Sequence, residues 1–282
     1  MIAPSIFRDD LFGGKTYFVT GGGTGIGLSI ASELRSLGAN VVIGSRSEDK
    51  LKVGHATLEA VPGTGEAAWH VCNIRDEDSI GAAVDFAVDR FGAIDGLVNN
   101  GGGQFPSPAA QINRKGWDAV IETNLTGTFS MSREVATRSM FESGGGAIVN
   151  VIAQMWNGFP MMAHTGAARA GVDNLTKTLA FEWAPFSVRV NAVAPGVIMS
   201  SGIDNYSEAN KKFFFESKQH IPAGRLGTPR EIAAAVVFLL SPASNFTTGA
   251  TLRVDGGEPL FGHAAANQMR EFYHPPGTEK YE

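Results

Sequence analysis

Short apolar runs alternate along the chain with longer stretches whose apolar positions recur at helical spacing. Thr16–Thr20 predicts a strand and residues 26–37 a helix. Residues 40–44, apolar and bounded by glycine and serine, predict a buried parallel strand. Residues 48–60 predict a helix, residues 67–72 a strand, and Glu77–Phe91 a helix with Ile80, Ala83, Phe86 and Ala87 on its apolar side. Gly96–Asn99 predicts a strand running into the turn Asn99-Asn100-Gly101-Gly102-Gly103. Residues 117–141 read as one long helical stretch, 147–152 as a strand, and 165–183 as a helix with Val172, Leu175, Leu179 and Trp183 apolar. Residues 188–193 predict a strand stopped by Pro195-Gly196. A polar and aromatic insertion, residues 200–223, precedes a helix at Pro229–Leu240 and a last strand at Thr251–Val254. No repeat or interdomain linker is visible. The alternation predicts an α/β fold, a single-domain doubly wound parallel sheet with helices on both faces. It spans residues 12–260, with an arm at 1–11, a lid-like insertion at 200–223 and a tail at 261–282. Ligands in such a sheet sit at the carboxyl ends of the strands, where the named turns fall.

Composition leaves room for this plan. The chain has 282 residues, 43% of them hydrophobic, and a net charge of −5, enough for one large core. The mild negative charge gives no reason to expect nucleic acid. The single cysteine, Cys72, excludes an internal disulfide framework and a cysteine-based zinc or iron–sulfur site. No metal is expected. No apolar run reaches about 18 residues, so no membrane span is expected. Residues 1–10 lack a signal pattern, and Glu279-Lys280-Tyr281-Glu282 is no Ser-Lys-Leu-type address. A soluble cytoplasmic protein is the expectation.

The most informative stretch is Phe18-Val19-Thr20-Gly21-Gly22-Gly23-Thr24-Gly25-Ile26-Gly27. An apolar strand ends in a glycine-rich turn and a helix follows, the layout that seats a pyrophosphate on a helix N-terminus. Gly21 permits the tight turn. Gly25 and Gly27 let backbone N–H groups reach phosphates and let the helix lie close to the strand. Thr24 and Ile26 belong to the same turn.

Further motifs follow in order. Thr20-Gly21-x-x-x-Gly25-x-Gly27, Asn99-Asn100-Gly101-Gly102, Asn124 in Glu122-Thr123-Asn124-Leu125, Pro195-Gly196 and Val254-Asp255-Gly256-Gly257 together resemble the short-chain dehydrogenase/reductase family. The resemblance covers roughly residues 12–260 and implies a Rossmann-type oxidoreductase. Within the family the chain is most similar to the peroxisomal-type trans-2-enoyl-CoA reductases. Asn99–Phe105, residues 122–129, His164–Gly171, Ala194–Ile198 and Phe213-Phe214-Phe215-Glu216 carry that likeness, and 2,4-dienoyl-CoA reductases stand further off.

The resemblance places the end of the second strand over the adenosine ribose, where an NAD enzyme holds an acid. This chain has Ser45-Arg46-Ser47 there. A guanidinium pairs with a 2′-phosphate that a carboxylate would repel, so NADP(H) is the expected cofactor. A solvated arginine is the plainer alternative. Asn73, beside Ile74, stands where relatives place an aspartate against the adenine. Asn100, Gly101, Gly102, Pro195, Gly196 and Ile198 complete the implied cofactor contacts.

The family's usual acid is a tyrosine with a lysine four residues later and a serine upstream. Here Thr165 fills the tyrosine slot, Arg169 the lysine slot and Ala153, next to Gln154, the serine slot. A second register offers Asp173-x-x-x-Lys177, for which an i,i+4 ion pair is the simpler reading. A ketone needs a positioned acid, whereas an enoyl thioester develops charge on the thioester oxygen and can take its Cα proton from water. The missing tyrosine thus favours alkene reduction. In this reading Thr165 orients the thioester, Arg169 holds the nicotinamide ribose, and Asn124 interrupts its helix and holds a water.

Gln104, Gln154, Trp156, His164 and Phe214 are the candidate substrate contacts. His164 is either a donor to the substrate oxygen or a satisfied structural histidine. Trp156, Phe159, Met161 and Met162 line an acyl pocket or pack a core. Phe213, Phe214 and Phe215 form a lid or an oligomer contact. Lys211, Lys212 and Lys218 meet CoA phosphates or are simply solvated. Three functions stay open: NADPH-dependent reduction of the 2,3 double bond of an enoyl-CoA, alcohol or ketone dehydrogenation of a hydrophobic substrate, and cofactor binding with little catalysis. A homotetramer is implied by resemblance.

Overall fold

A computed structural model describes residues 7–201 and 215–260. β1 (Thr16–Thr20), β2 (Asn40–Ser45), β3 (Ala67–Val71), β4 (Gly96–Asn99), β5 (Gly146–Val151), β6 (Val188–Pro195) and β7 (Thr251–Val254) form one sheet. Every pairing is parallel, in the order β3-β2-β1-β4-β5-β6-β7. The order reverses between β1 and β4, which opens a crevice at their carboxyl ends.

The strand pleat sorts the core into two layers. Phe18, Val42, Leu97, Ile148 and Val190 stand in register across five strands and face α3 (Glu77–Phe91), α5 (Gly127–Val135) and α7 (Ala163–Glu182). Their chain neighbours Val19, Ile43, Val98 and Val149 point the other way, toward α1 (Gly25–Ser36), α2 (Glu48–Glu59) and α8 (Pro229–Leu240). Burial on both faces explains why these strands read as continuous apolar runs rather than alternating ones.

Most element ends lie within two residues of the sequence expectation, because capping residues mark them. Asp76 accepts from the N–H groups of Asp78 and Ser79 at the start of α3. Thr228 and Glu231 make a reciprocal cap at α8, with Pro229 in the first helical position. The stretch expected as one helix at residues 117–141 differs more. It starts at α4 (Arg114–Ile121), capped by Asn113, and passes through two wider π turns, Glu122–Thr126 and Ala136–Met140, to α6 (Phe141–Ser143). In the first turn Asn124 Nδ2 donates to Val120 O (2.8 Å), and Gly127 N–H reaches back five residues to Glu122 O. The side chain takes a carbonyl that the backbone would otherwise use.

Arg189 on β6 closes the far end of the domain. Its Nη1 donates to Leu239 O (2.8 Å) and Ser244 Oγ (2.9 Å), and its Nη2 lies 3.4 Å from Leu240 O and Ser241 O. A cation thus caps the carboxyl end of α8. Arg189→Ala is expected to lower unfolding free energy by about 2–3 kcal/mol, read from urea denaturation, because several carbonyls lose a charged donor.

Candidate functional site

Two turns meet at the switch point. Thr20 Oγ1 accepts from the N–H groups of Asn100 (3.0 Å) and Gly101 (2.8 Å) and donates to Val98 O (3.2 Å). Asn100 Nδ2 donates to Thr20 O (3.1 Å) and Gly21 O (3.3 Å). Gly21 adopts φ +64°, and a Cβ on Gly27 would stand 2.3 Å from Gly21 O. Both neighbours are fixed, so neither position accepts a side chain. Gly25, at φ +56°, lies against Ser200 and Ser201.

The start of α1 behind Thr24 has no side-chain cap, whereas side chains cap α2, α3, α4 and α8. Its first N–H groups and the helix dipole are available to an anion. The cradle therefore fits a dinucleotide pyrophosphate. At the adenosine end, Ser45 Oγ donates to Ser47 O (3.4 Å). Arg46 is exposed and has no hydrogen-bond or ion-pair partner among the described residues. Asn73 Oδ1 accepts from Arg75 N–H (3.3 Å), and Ile74 Cδ1 lies 3.3 Å from where a Gly101 Cβ would be.

A cavity of about 600 Å³ opens beyond this cradle. Ile26, Asn100, Gly102, Pro195, Gly196 and Ile198 line it, as do Gln104 and Gln154. Arg169 forms part of its floor. The guanidinium is buried, donates from Nη1 to Val151 O (3.0 Å) and has no carboxylate partner among the described residues. Burial lowers its pKa to about 10, which leaves it charged at neutral pH. A buried cation with one protein acceptor among the described residues suits the hydroxyls of a ribose.

Asn124 is fully buried and clamps the glycine turn. Its Nδ2 donates to Gly103 O (2.7 Å) and its Oδ1 accepts from Gly103 N–H (3.3 Å). A Cβ on Gly102 would stand 2.7 Å from Asn124 Oδ1 and 2.6 Å from Arg169 Nη2. Asn124, the glycine turn and Arg169 therefore form one packed unit.

Other candidates lie elsewhere. Thr165 and His164 are fully buried and do not line the cavity. Thr165 N–H donates to His164 Nδ1 (2.8 Å), and the Phe105 ring meets the imidazole edge-on at 4.6 Å. Burial holds the imidazole below the ordinary histidine pKa of 6.5, partly opposed by the Met162 carbonyl. Trp156 does not line the cavity; Arg253 stacks over its ring at 4.0 Å. Phe159 and Met162 do line it, whereas Met161 is exposed. Asp173 pairs with Lys177 and accepts from Thr251 Oγ1, both at 2.5 Å, and neither member of the pair lines the cavity. Phe213, Phe214, Lys211 and Lys212 lie outside the described residues. The sequence reading does not single out Ser200 or Glu258, which also line the cavity. Glu258 directly follows the motif Val254-Asp255-Gly256-Gly257, the one local signal available.

Comparison with known proteins adds four findings. Residues 21–258 match a family model described as Enoyl-(Acyl carrier protein) reductase. A peroxisomal 2,4-dienoyl-CoA reductase [(3E)-enoyl-CoA-producing] from Danio rerio is 38% identical over 259 residues, covering 89% of this chain and 84% of that protein. A probable 2,4-dienoyl-CoA reductase from Bacillus subtilis is 35% identical, covering 87% of this chain and 97% of its own. Among solved structures, a citronellol catabolism dehydrogenase (AtuB) from Pseudomonas aeruginosa superposes with a TM-score of 0.81 at 45% identity, covering 91% of this chain and 99% of that one. The two reductases carry the dienoyl name, which the sequence motifs place further off than the trans-2-enoyl one.

Gly27→Ala is expected to weaken dinucleotide binding at least about tenfold in a fluorescence titration, because the new methyl collides with backbone. His164 yields a second expectation. Its folded pKa lies below its unfolded one, so the unfolded chain binds more protons and stability falls as pH drops below 6.5. Lowering pH from about 7.5 to about 5.5 should reduce Tm more in the wild type than in His164→Gln.

Proposed function

The chain belongs to the short-chain dehydrogenase/reductase family of oxidoreductases, which bind a nicotinamide cofactor, and on that premise we propose that it uses NADPH to reduce the 2,3 double bond of an enoyl-CoA. The observation that carries this reading is the make-up of the cavity. Among the described residues its wall contains a buried guanidinium and amides but no tyrosine hydroxyl. A ketone or alcohol reaction needs an acid at the oxygen. A conjugated thioester does not, because its charge is delocalised and its carbon is protonated from solvent.

When bound, the reduced nicotinamide supplies a hydride to Cβ and is itself oxidised. Thr24, Gly25, Ile26 and Gly27 hold the pyrophosphate against α1. Arg46 and Ser45 meet the 2′-phosphate, with Asn73 and Ile74 beside the adenine. Arg169 holds the nicotinamide ribose, and Pro195, Gly196 and Ile198 back the ring. Asn124 keeps the turn Asn100-Gly101-Gly102 in place. The electron pair leaving the double bond gathers on the thioester oxygen, where N–H donors stabilise it, and a water proton at Cα completes the addition. Gln104 and Gln154 border the acyl thioester, while Phe105, Phe159 and Met162 supply apolar wall. Cytoplasmic location and a homotetramer belong to the same proposal.

One observation favours a second reading. The similar solved structure at 45% identity is titled a citronellol catabolism dehydrogenase, so a terpenoid alcohol or a terpenoid acyl thioester is the competing substrate. NADPH oxidation with trans-2-enoyl-CoAs of graded length, run against 3-ketoacyl-CoAs, and NADP⁺ reduction with terpenoid alcohols decide between them. Turnover confined to ketones or alcohols would remove the enoyl-CoA reading. NADPH binding with no turnover would leave a cofactor-binding protein. Arg46→Asp is expected to lower the NADPH-to-NADH ratio of kcat/KM by roughly 10- to 100-fold, the worth of one charge-assisted phosphate contact.

A further inference from the structure

Resting on the enoyl thioester reading above, we propose that His164 Nε2–H is the donor that holds the thioester oxygen, and that the Phe105 ring is the shutter that covers it until substrate enters. The tautomer follows from the hydrogen bonds. The backbone N–H of Thr165, which can only donate, points at Nδ1 at 2.8 Å, so Nδ1 is the acceptor and the ring proton sits on Nε2. Nε2 is buried and has no hydrogen-bond partner among the described residues. His164 itself is fully buried, where an unpaired N–H is destabilising. That cost is removed when an oxygen arrives.

Phe105 touches both the cavity and the imidazole: it lines the one and meets the other at 4.6 Å. It is 40% exposed and follows the turn Gly101-Gly102-Gly103. Asn124 holds the Gly103 N–H and carbonyl, so the motion required is of the Phe105 side chain and not of the glycine turn. Thr165, in the slot where relatives hold tyrosine, then acts as a positioning residue, fixing Nδ1 rather than touching substrate. A neutral imidazole suits the task, since it donates without introducing a charge that the apolar surroundings would oppose.

Steady-state kinetics with hexenoyl-CoA and NADPH test the assignment. His164→Phe keeps the ring and removes the donor. It is expected to lower kcat about 100-fold, the loss typical of one oxyanion donor, with the NADPH dissociation constant unchanged. His164→Gln restores an N–H and is expected to recover at least about tenfold. In the wild type, saturated hexanoyl-CoA with NADP⁺ bound is expected to shift the His164 Nε2–H proton resonance, a readout that needs no variant to fold. Wild-type kcat in His164→Phe, or a resonance unmoved by hexanoyl-CoA, overturns the donor and leaves the enoyl-CoA reading standing. A wild-type enzyme that binds NADPH and reduces no enoyl-CoA overturns that reading, and the donor with it.

Discussion

Thr20 and Asn100 are the joint on which the site depends. β1 and β4 are neighbours in the sheet, but the chain leaves them in opposite directions, so their following turns diverge. One hydroxyl and one amide bridge the gap: Thr20 Oγ1 takes two backbone N–H groups, and Asn100 Nδ2 reaches back to two carbonyls. Both turns are thereby held within van der Waals contact, which is why Gly21 and Gly27 tolerate no side chain. The amino end of α1, the glycine turn and the cavity floor all take their positions from this contact.

Behind the joint lies a polar seam inside an otherwise apolar core. Asn99 Nδ2 donates to Ser132 Oγ (2.8 Å) and Asn150 Oδ1 (2.9 Å), and Asn150 Nδ2 donates to Thr176 Oγ1 (2.9 Å). These bonds tie β4 and β5 to α5 and α7, the helices that carry Asn124's neighbours and Arg169. A buried polar network of this kind fixes relative orientation, because any shift leaves a donor unpaired. The loops at residues 104–107 and 155–162 meet beyond this seam through Ser107 N–H and Met161 O (2.6 Å).

The substitutions in the usual acid slots form a consistent set. Thr165 cannot replace a tyrosine in reach or acidity, and Arg169 remains charged where a lysine can give up its proton. What survives is the binding half of the machinery: a cradle, a cation and a clamp.

The strands, most helices and the glycine turns were legible in the sequence because each depends on near neighbours: apolar period, capping residue, permitted φ. Asn124 was legible as a helix interruption for the same reason, since its amide competes for a carbonyl one turn away. The inner wall of the cavity was legible in part: Gln104, Gln154, Phe159 and Met162 line it, whereas His164 and Trp156 do not. His164 lies behind Phe105, far away in sequence, and Trp156 turns from the cavity to stack on Arg253. Glu258 enters from the last segment of the sheet. Local pattern determined which elements form and where the glycine cradle lies. Only tertiary packing decided which side chains face the cavity, because that depends on contacts between loops that no spacing along the chain encodes.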